Sequence, residues 1–281
     1  MTAQARRAEA LGARLPPLLV AARRVAATVA GGMHGRRRVG QGDAFWQYRP
    51  ALPGETRHDP RASAKAVMPF VRETEWEAAQ TVLLWRDGSA SMQWRSGAQL
   101  PLKAERAELL LLAVAALLLR GGELVRLLGG GARARSGRGA LEAIAAMLGH
   151  VPTLGLPAVE PVPRYARAVL IGDFLAPLEE VRGVLEQMAA AGVGGHLVQV
   201  LDPAEAALPY AGRVRFRGLE GEADSVIGSA EGIRGEYAAA LAGQQRGLAG
   251  LCAAAGWSFA VHRTDQPAAA ALLGLHAALS G

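Results

Sequence analysis

From residue 80 onward, short apolar runs alternate with longer stretches of helical periodicity, and this alternation strongly limits the folds open to the chain. It is typical of a mainly parallel sheet that is covered by helices on both faces. We predict strands near residues 80–86, 122–128, 166–172, 194–201 and 256–262. We predict helices near residues 100–120, 137–149, 177–191, 230–255 and 266–280. The expected fold class is therefore α/β, with a doubly wound, mainly parallel sheet.

Two further short strands are expected beside these main elements. Gly129 to Gly131 predict a hairpin that leads into a short antiparallel strand near 132–136, and a further short strand is expected within 213–217.

The run from Leu109 to Leu119 is entirely apolar, but its eleven residues fall short of the roughly 20 that cross a bilayer. We therefore expect a buried helix there and no transmembrane segment.

Residues 5–30 carry an amphipathic pattern that Pro16 and Pro17 interrupt. Proline ends or kinks a helix, so we expect a helical arm here that is broken into two short helices. The stretch lacks the uninterrupted apolar core of a secretory signal peptide. We therefore interpret it as part of the folded protein.

Residues 40–60 are rich in turn-forming residues and carry three aromatic residues, a composition that suits short irregular strands. Another strand is expected at 67–72. This β-rich accessory region and the helical arm together make up residues 1–75, which differ in texture from a domain at 76–281. We expect them to pack on that domain, because three aromatic side chains are too few to bury a separate core.

The charge and the cysteine content constrain the partners and the location. The net charge of +6 comes almost wholly from arginine, since Lys65 and Lys103 are the only lysines. The one dense cluster, Arg36 to Arg38, lacks interleaved aromatic residues and favours a solvated or protein-docking surface over nucleic-acid binding. The single cysteine, Cys252, lies in an apolar helical stretch and excludes a disulfide framework. We expect a buried, inert thiol and a cytoplasmic protein.

Asp87 directly follows the apolar run from Thr81 to Trp85, and Ser89 and Ser91 follow at alternate positions. An acid and two hydroxyls at a strand end make a cup of oxygen ligands, which Mg²⁺ prefers; Mn²⁺ and Ca²⁺ are alternatives. One carboxylate and two hydroxyls leave such an ion short of anionic ligands. The motif therefore indicates a binding site for an acidic partner more than a hydrolytic centre. An ordinary turn after a strand is the alternative interpretation.

Asp173 provides a second acid, because it closes the apolar run from Val169 to Gly172. Parallel strands in an open α/β sheet present their carboxyl ends at one edge, where ligands bind. We therefore expect Asp87 and Asp173 to face each other across a crevice, with Asp87 exposed to solvent. We expect Asp87, Ser89 and Ser91 to contact the ion directly and Asp173 to reach it through water.

The spacing of Asp87, Ser89 and Ser91 in this setting resembles the metal-ion-dependent adhesion site (MIDAS) of von Willebrand factor A domains. The preceding segment is similar to the signature of a bacterial family called domain of unknown function 58. The matching residues, in order, are Gly42, Asp43, Phe45, Arg49, Gly54, Arg57, Asp59, Val71, Arg72, Glu73 and Glu75. The resemblance covers residues 30–260 and implies a von Willebrand A-like, Rossmann-like sheet.

Two positions depart from the family pattern. Glu55 stands where the family has another acid after the signature glycine, and Pro60 stands where the family has a tryptophan after Asp59. The second change alters backbone and bulk at that position. The resemblance also implies a threonine ligand on a neighbouring loop, and Thr153 is the best candidate, with a plain loop residue as the alternative. Its loop is rich in proline, so we expect the helix that is usual there to be missing.

Such a family implies protein partners. Its members resemble binding modules that work beside MoxR-type AAA+ ATPases, in systems that assemble, metallate or remodel other proteins. The chain has no G-x-x-x-x-G-K-[ST] phosphate loop, so ATP hydrolysis would belong to the partner. The resemblance therefore implies a non-enzymatic, metal-dependent adaptor or co-chaperone. An acidic residue of the ATPase or of a client protein would complete the metal shell.

Two other functions stay open. A Mg²⁺-dependent phosphoesterase would use Asp87 and Asp173, although Ser89 lies outside a G-x-S-x-G elbow and the six histidines show no paired spacing for zinc or general-base work. A nucleic-acid or membrane-surface binder would use the arginine cluster and the helical arm. The sequence supplies charge for this role but no base-reading element.

Overall fold

The computed structural model describes residues 17–30, 45–50, 70–74 and 79–279, apart from residues 132, 159, 220 and 222. The helices are α1 (residues 17–30), α2 (Lys103–Arg120), α3 (Ala140–Leu148), α4 (Leu178–Ala190), α5 (Pro203–Ala207), α6 (Ala230–Ala254) and α7 (Ala268–Leu279). The strands are β1 (Phe45–Pro50), β2 (Phe70–Thr74), β3 (Thr81–Arg86), β4 (Leu124–Leu127), β5 (Arg167–Gly172), β6 (Gly194–Leu201), β7 (Val214–Phe216), β8 (Ser225–Ile227) and β9 (Ser258–Arg263).

The chain divides into two units. The larger contains α1 and the described residues from Gln80 onward, and the smaller contains β1 and β2. Of the helical arm predicted at 5–30, the structure describes residues 17–30, which form α1, and residues 5–16 lie outside the described residues. The proposed boundary near residue 75 stays a prediction.

Five strands form the central sheet of the larger unit, in the order β4-β3-β5-β6-β9, and every neighbouring pair is parallel. The five strands of this sheet and the five helices predicted from residue 80 onward are present, with ends displaced by at most three residues. An isolated antiparallel bridge joins Val125 of β4 to Arg135, so the edge strand expected at 132–136 is reduced to one bridge. The predicted α/β fold with a doubly wound, parallel sheet is confirmed.

Helices cover both faces of this sheet because side chains alternate along each strand. Val82 and Leu84 of β3 join one core, which also takes buried residues from α1, α2, α3 and α7. Leu83 and Trp85 join the other core, which takes buried residues from α4 and α6. The apolar run that the sequence placed in a buried helix lies in α2, and most of its side chains are buried between the sheet and the outer helices.

In the smaller unit, β1 and β2 pair in antiparallel fashion, with Arg49 opposite Val71 and Tyr48 opposite Arg72. A register irregularity between Phe45 and Gln47 interrupts the ladder. The two matched segments of the family signature thus supply the two strands of one antiparallel pair. The strand expected at 67–72 begins at Phe70 and continues to Thr74.

The connection between α5 and α6 carries the β7–β8 hairpin, of which β7 was expected from the sequence and β8 was not. No helix among the residues that the structure describes is long and apolar enough to cross a membrane.

Candidate functional site

The candidate site lies at the carboxyl edge of the sheet, where β3 stands between β4 and β5. The chain connections leave in opposite directions at this point, and such switch points are where open α/β sheets bind ligands. Asp87 follows β3, and its backbone N–H donates to the carbonyl oxygen of Ile171 at 2.8 Å. Asp173 follows β5, so the two acids lie at neighbouring strand ends.

Hydrogen bonds connect the two acids through two serines. The backbone N–H of Ser89 donates to Oδ1 of Asp87 at 2.8 Å. The Oγ atoms of Ser89 and Ser91 lie 3.0 Å apart, and the Ser91 hydroxyl donates to Oδ2 of Asp173 at 2.6 Å. The structure therefore brings Asp87, Ser89, Ser91 and Asp173 into one continuous oxygen cluster.

Asp87 is buried, with 1% of its surface exposed, so the expectation that it faces solvent is wrong. Two close backbone approaches explain its burial. A Cβ atom on Gly172 would lie 2.8 Å from the Cβ of Asp87, and one on Gly88 would lie 3.0 Å from the Cα of Thr153. The Gly88 N–H also donates to the carbonyl oxygen of Leu154 at 3.1 Å. Glycine at both positions thus lets the neighbouring backbone close over the acid.

The backbone of Thr153 therefore lies beside the Asp87 turn, and its role as a metal ligand stays a prediction. Arg86 holds this region together, because its Nη2 donates to the carbonyl oxygen of Leu148 at 2.9 Å. Its Nε lies 3.5 Å from Oε1 of Glu108 on α2. The described residues between α3 and β5 contain no helix, as the prolines of this loop predicted.

Burial, followed by the negative charge of Asp173, raises the pKa of Asp87 from 3.8 to about 7. Hydrogen bonds from Ser89 and from the Asp173 backbone lower the pKa but do not cancel the increase. Two carboxyl groups are therefore held together in a place where a second negative charge is unfavourable. A cation at this place stabilises the ionised form of both.

Lys103, the first residue of α2, supplies one such cation, and sequence reasoning missed it as a site residue. Its side chain is fully buried, with 0% exposed. The Nζ atom donates to Oδ2 of Asp173 at 3.0 Å and to Oε1 of Glu205 at 2.6 Å. Burial lowers the pKa of Lys103, but these two carboxylates outweigh burial and leave the pKa above its ordinary value. The ammonium is thus charged in the folded protein.

Glu205 also belongs to the site and was missed. It lies in α5, and its Oε2 accepts from the backbone N–H of Asp202 at 2.8 Å. The Asp202 carboxylate in turn accepts from the backbone N–H of Ala204 at 2.8 Å. These bonds form a capping box at the start of α5, so the cap that orders this helix also orients Glu205 toward Lys103.

The backbone after Asp173 is held by side chains from other elements. The Nε2 of Gln199 donates to the Asp173 carbonyl oxygen at 2.8 Å, and that of Gln244 donates to the Phe174 carbonyl oxygen at 3.0 Å. Phe174 has a φ of 48°, a left-handed conformation that costs free energy for a bulky residue. Its ring is buried against Trp85, with ring centroids 6.1 Å apart. This turn is therefore fixed by packing and hydrogen bonds.

Two signals in the sequence point to the missed residues. Lysine occurs only twice among 31 lysine and arginine residues, and one of the two starts a buried helix. A cation at a helix N-terminus opposes the helix dipole, so Lys103 needs a local anionic partner. The run from Asp202 to Glu205 has the spacing of a capping box directly after a predicted strand.

The oxygen cluster fits a divalent cation. Its donors are carboxylate and hydroxyl oxygens, and the 3.0 Å from Ser89 Oγ to Ser91 Oγ and the 2.6 Å from Ser91 Oγ to Asp173 Oδ2 bring three of them together. Lys103 offsets only one of the negative charges of Asp87 and Asp173. Within the described ranges, no group of three or more His, Cys, Asp or Glu side chains could hold a metal, so an ion here would depend on the serine hydroxyls.

The other residues considered from the sequence have packing roles or lie outside the described residues. Arg36 to Arg38, His34 and His58 lie outside them. His196 contacts the Ser258 hydroxyl, and His262 accepts at Nε2 from Arg106 at 3.1 Å. Cys252 is buried, and burial raises the pKa of its thiol to about 11, which agrees with an inert thiol.

Comparison with known proteins yields one family and solved structures of low similarity. A family model described as "Protein of unknown function DUF58" matches residues 47–247. The crystal structure of the conserved hypothetical protein BatB from Bacteroides thetaiotaomicron is 17% identical, with a TM-score of 0.40, and the match covers 72% of this chain and 99% of that chain. An aerotolerance-related membrane protein from Bacteroides fragilis NCTC 9343, with multiple mutations to serines, is 15% identical with the same TM-score of 0.40 and the same coverage of 72% and 99%. No curated protein matches the chain.

Proposed function

We propose that this chain, which belongs to the DUF58 family of proteins of unknown function, is a non-enzymatic, metal-dependent protein-binding module. The observation that carries the proposal is the largely buried oxygen cluster of Asp87, Ser89, Ser91 and Asp173 at the β3–β5 switch point. When bound there, Mg²⁺, or Mn²⁺ or Ca²⁺ in its place, would offer a coordination position to an acidic side chain of a partner.

The residues of the chain divide the work of holding such an ion. Asp87 would supply a direct carboxylate, and Ser89 and Ser91 would supply hydroxyls. Asp173 would act through water, because its Oδ2 already accepts hydrogen bonds from Ser91 and Lys103. Thr153 stays a candidate from the loop that covers Asp87. One direct carboxylate leaves the site in need of a further anionic ligand.

Exposed leucines beside the cluster favour a protein partner. Leu154 is 45% exposed and Leu175 is 49% exposed. Both are tied to the site by their backbones, since Leu154 accepts from the Gly88 N–H at 3.1 Å and Leu175 donates to Oδ1 of Asp173 at 3.4 Å. Protein interfaces commonly combine apolar anchors with a few desolvated polar contacts. We therefore include both leucines in the docking surface.

The partner in this proposal is a MoxR-type AAA+ ATPase, together with a client protein that the pair assembles or remodels. The family resemblance suggests this class of partner, and the demand for an anionic ligand supports an acidic docking residue. The protein would work in the cytoplasm, which suits a chain with a single buried cysteine. A nucleic-acid or membrane surface would require the Arg36 to Arg38 cluster and ranks behind a protein partner.

A phosphoesterase is the second candidate, because Asp87 has a pKa near neutrality that suits acid–base chemistry. Against it, Oδ1 of Asp87 accepts from Ser89, and Oδ2 of Asp173 accepts from Ser91 and Lys103. Each carboxylate is thus engaged by hydrogen bonds within the protein, which makes it less available for proton transfer to a substrate. Turnover of p-nitrophenyl phosphate that requires Mg²⁺ and disappears in Asp87→Asn would favour the enzyme.

The binding proposal is tested with the nucleotide-free MoxR-type ATPase of the same organism. Its affinity for this protein is measured by calorimetry in Mg²⁺ and in chelator, for the unaltered chain and for Asp87→Asn. We expect strong binding only for the unaltered chain in Mg²⁺. The use of Asp87→Asn separates metal at this site from metal on the ATPase. Equal affinity in all four combinations would contradict the proposal.

A further inference from the structure

The ammonium of Lys103 lies inside the candidate metal site. It is fully buried and contacts two carboxylates that come from different strand ends. Asp173 follows β5, and Glu205 lies in α5 after β6. Of these contacts, Nζ to Glu205 is the shorter at 2.6 Å, and Nζ to Asp173 is 3.0 Å. The Lys103 ammonium is thus shared between Asp173 of the oxygen cluster and the neighbouring carboxylate of Glu205.

This sharing affects the charge that an incoming ion meets. Asp87 and Asp173 together carry two negative charges when ionised, and Lys103 brings one positive charge to the same oxygen that Ser91 contacts. Like charges repel strongly in a buried place, so an ammonium at this oxygen opposes a divalent cation beside it. Glu205 reduces that opposition by pairing with the same ammonium.

We propose that Lys103 is a resident cation that sets the divalent-ion affinity of the site, and that Glu205 tunes it by competing with Asp173 for the ammonium. This inference rests on the proposed metal site. Lys103 keeps the metal-free site folded by compensating Asp173. It also keeps the affinity low enough for the ion to leave, so that metal binding is reversible. Lys103 and Glu205 are therefore positioning residues that act on the ligands.

The geometry predicts opposite effects for two substitutions. Lys103→Met removes the charge and keeps an unbranched side chain of similar length, so Mg²⁺ affinity should rise by about tenfold or more. Glu205→Gln leaves the ammonium to Asp173 alone, so Mg²⁺ affinity should fall several-fold. If Lys103 and Glu205 only support the fold, neither change raises affinity.

A double-variant cycle tests the coupling between the two residues. In the Lys103→Met background, Glu205→Gln should have a much smaller effect on Mg²⁺ affinity than in the unaltered chain, because its effect passes through the ammonium. Equal effects in both backgrounds would show that Glu205 acts as an independent negative charge. That result would overturn the role assigned to Glu205.

Lys103→Met could fold poorly, because without the ammonium the carboxylates of Asp173 and Glu205 are left uncompensated. Measurements of thermal stability provide a second test in that case. Ions that bind only the folded state raise the melting temperature. We therefore expect Lys103→Met to melt lower than the unaltered chain in chelator and to gain more from added Mg²⁺. If Mg²⁺ does not change the melting temperature of Lys103→Met, the inference is overturned.

The experiment is isothermal titration of Mg²⁺ into the full chain, Lys103→Met and Glu205→Gln. Tighter binding by Lys103→Met supports the inference, and equal or weaker binding overturns it while leaving the metal-dependent function intact. If only Lys103→Met binds Mg²⁺, the inference stands and the proposed metal-dependent function of the unaltered chain fails. If neither the unaltered chain nor Lys103→Met binds Mg²⁺, both the inference and the proposed metal-dependent function fail.

Discussion

Ser91 and Asp173 are 82 positions apart in the sequence, and the Ser91 hydroxyl donates to Oδ2 of Asp173 at 2.6 Å. The bond joins the turn after β3 to the end of β5. The same oxygen accepts from Lys103 at 3.0 Å, so one carboxylate oxygen gathers a hydroxyl and an ammonium. The turn after β3, the start of α2 and the end of β5 thus meet at this oxygen, and the geometry of the site depends on how closely their backbones pack.

That dependence predicts a sharp effect at Gly172. A Cβ atom there would lie 2.8 Å from the Cβ of Asp87, a separation that forces the acid to move. Gly172→Ala should therefore weaken Mg²⁺ binding by about tenfold, which corresponds to roughly 1.4 kcal/mol. Titration calorimetry measures the change.

Gly183→Ala is the matched control for Gly172→Ala. Gly183 lies in α4, and a Cβ atom there would meet nothing within 4 Å. Alanine in a helix is favoured over glycine by up to about 1 kcal/mol, so this variant should be slightly more stable with unchanged Mg²⁺ affinity. Equal Mg²⁺ affinity for both variants would mean that the Gly172 contact does not position Asp87.

The packing of α1 is tested with two adjacent alanines. Ala26 is buried in the core shared with α2, whereas Ala27 is exposed. An unpaired carboxylate in an apolar core is costly, so Ala26→Asp should lower the free energy of unfolding by about 3 kcal/mol. Ala27→Asp should cost under about 1 kcal/mol, mainly through lower helix propensity. Urea denaturation compares the two, and equal losses would show that α1 does not pack on the core.

Strands, helices and the two acids of the site could be predicted because each has a local signal. Buried parallel strands such as β3 and β5 are short apolar runs, and Asp87 and Asp173 stand directly after them. Lys103 and Glu205 each have a weak local signal, but nothing in the sequence indicates that they pair, since they come from separate elements and the lysine is buried only by tertiary packing. The burial of Asp87 depends on an irregular loop, whose path a sequence pattern does not specify.

His262 should make stability dependent on pH. Burial, aided by the charge of Arg106, lowers the pKa of His262 from 6.5 to about 4, while Asp265 raises it slightly. Between these two pH values the unfolded chain binds a proton that the folded chain does not, so stability falls as the pH decreases from 6.5 to 4. The full effect is as much as about 3 kcal/mol.

His262→Gln removes this titration and keeps an acceptor for the Arg106 N–H. We expect the loss in free energy of unfolding between pH 7 and pH 4.5, measured by urea denaturation, to be smaller in the variant than in the unaltered chain. Equal losses would mean that His262 titrates normally in the folded protein.

The leucines beside the cluster should matter for partner binding and not for the metal. Leu154→Ser and Leu175→Ser remove exposed apolar side chains from the proposed docking surface, and each should weaken binding to the MoxR-type ATPase about tenfold. Leu273→Ser is the control, because Leu273 is 51% exposed on α7, outside that surface. If all three variants bind the ATPase equally well, docking takes place elsewhere.

In the proposed site, Asp87 holds a divalent cation together with the two serines. The most direct test is isothermal titration of Mg²⁺ into the unaltered chain, Asp87→Asn, Ser89→Ala and Asp224→Asn, where Asp224 is an exposed acid beside β8. We predict that Asp87→Asn abolishes binding, that Ser89→Ala weakens it less, and that Asp224→Asn leaves it unchanged. Mg²⁺ binding that is equally strong in Asp87→Asn and in the unaltered chain would contradict a metal site at Asp87.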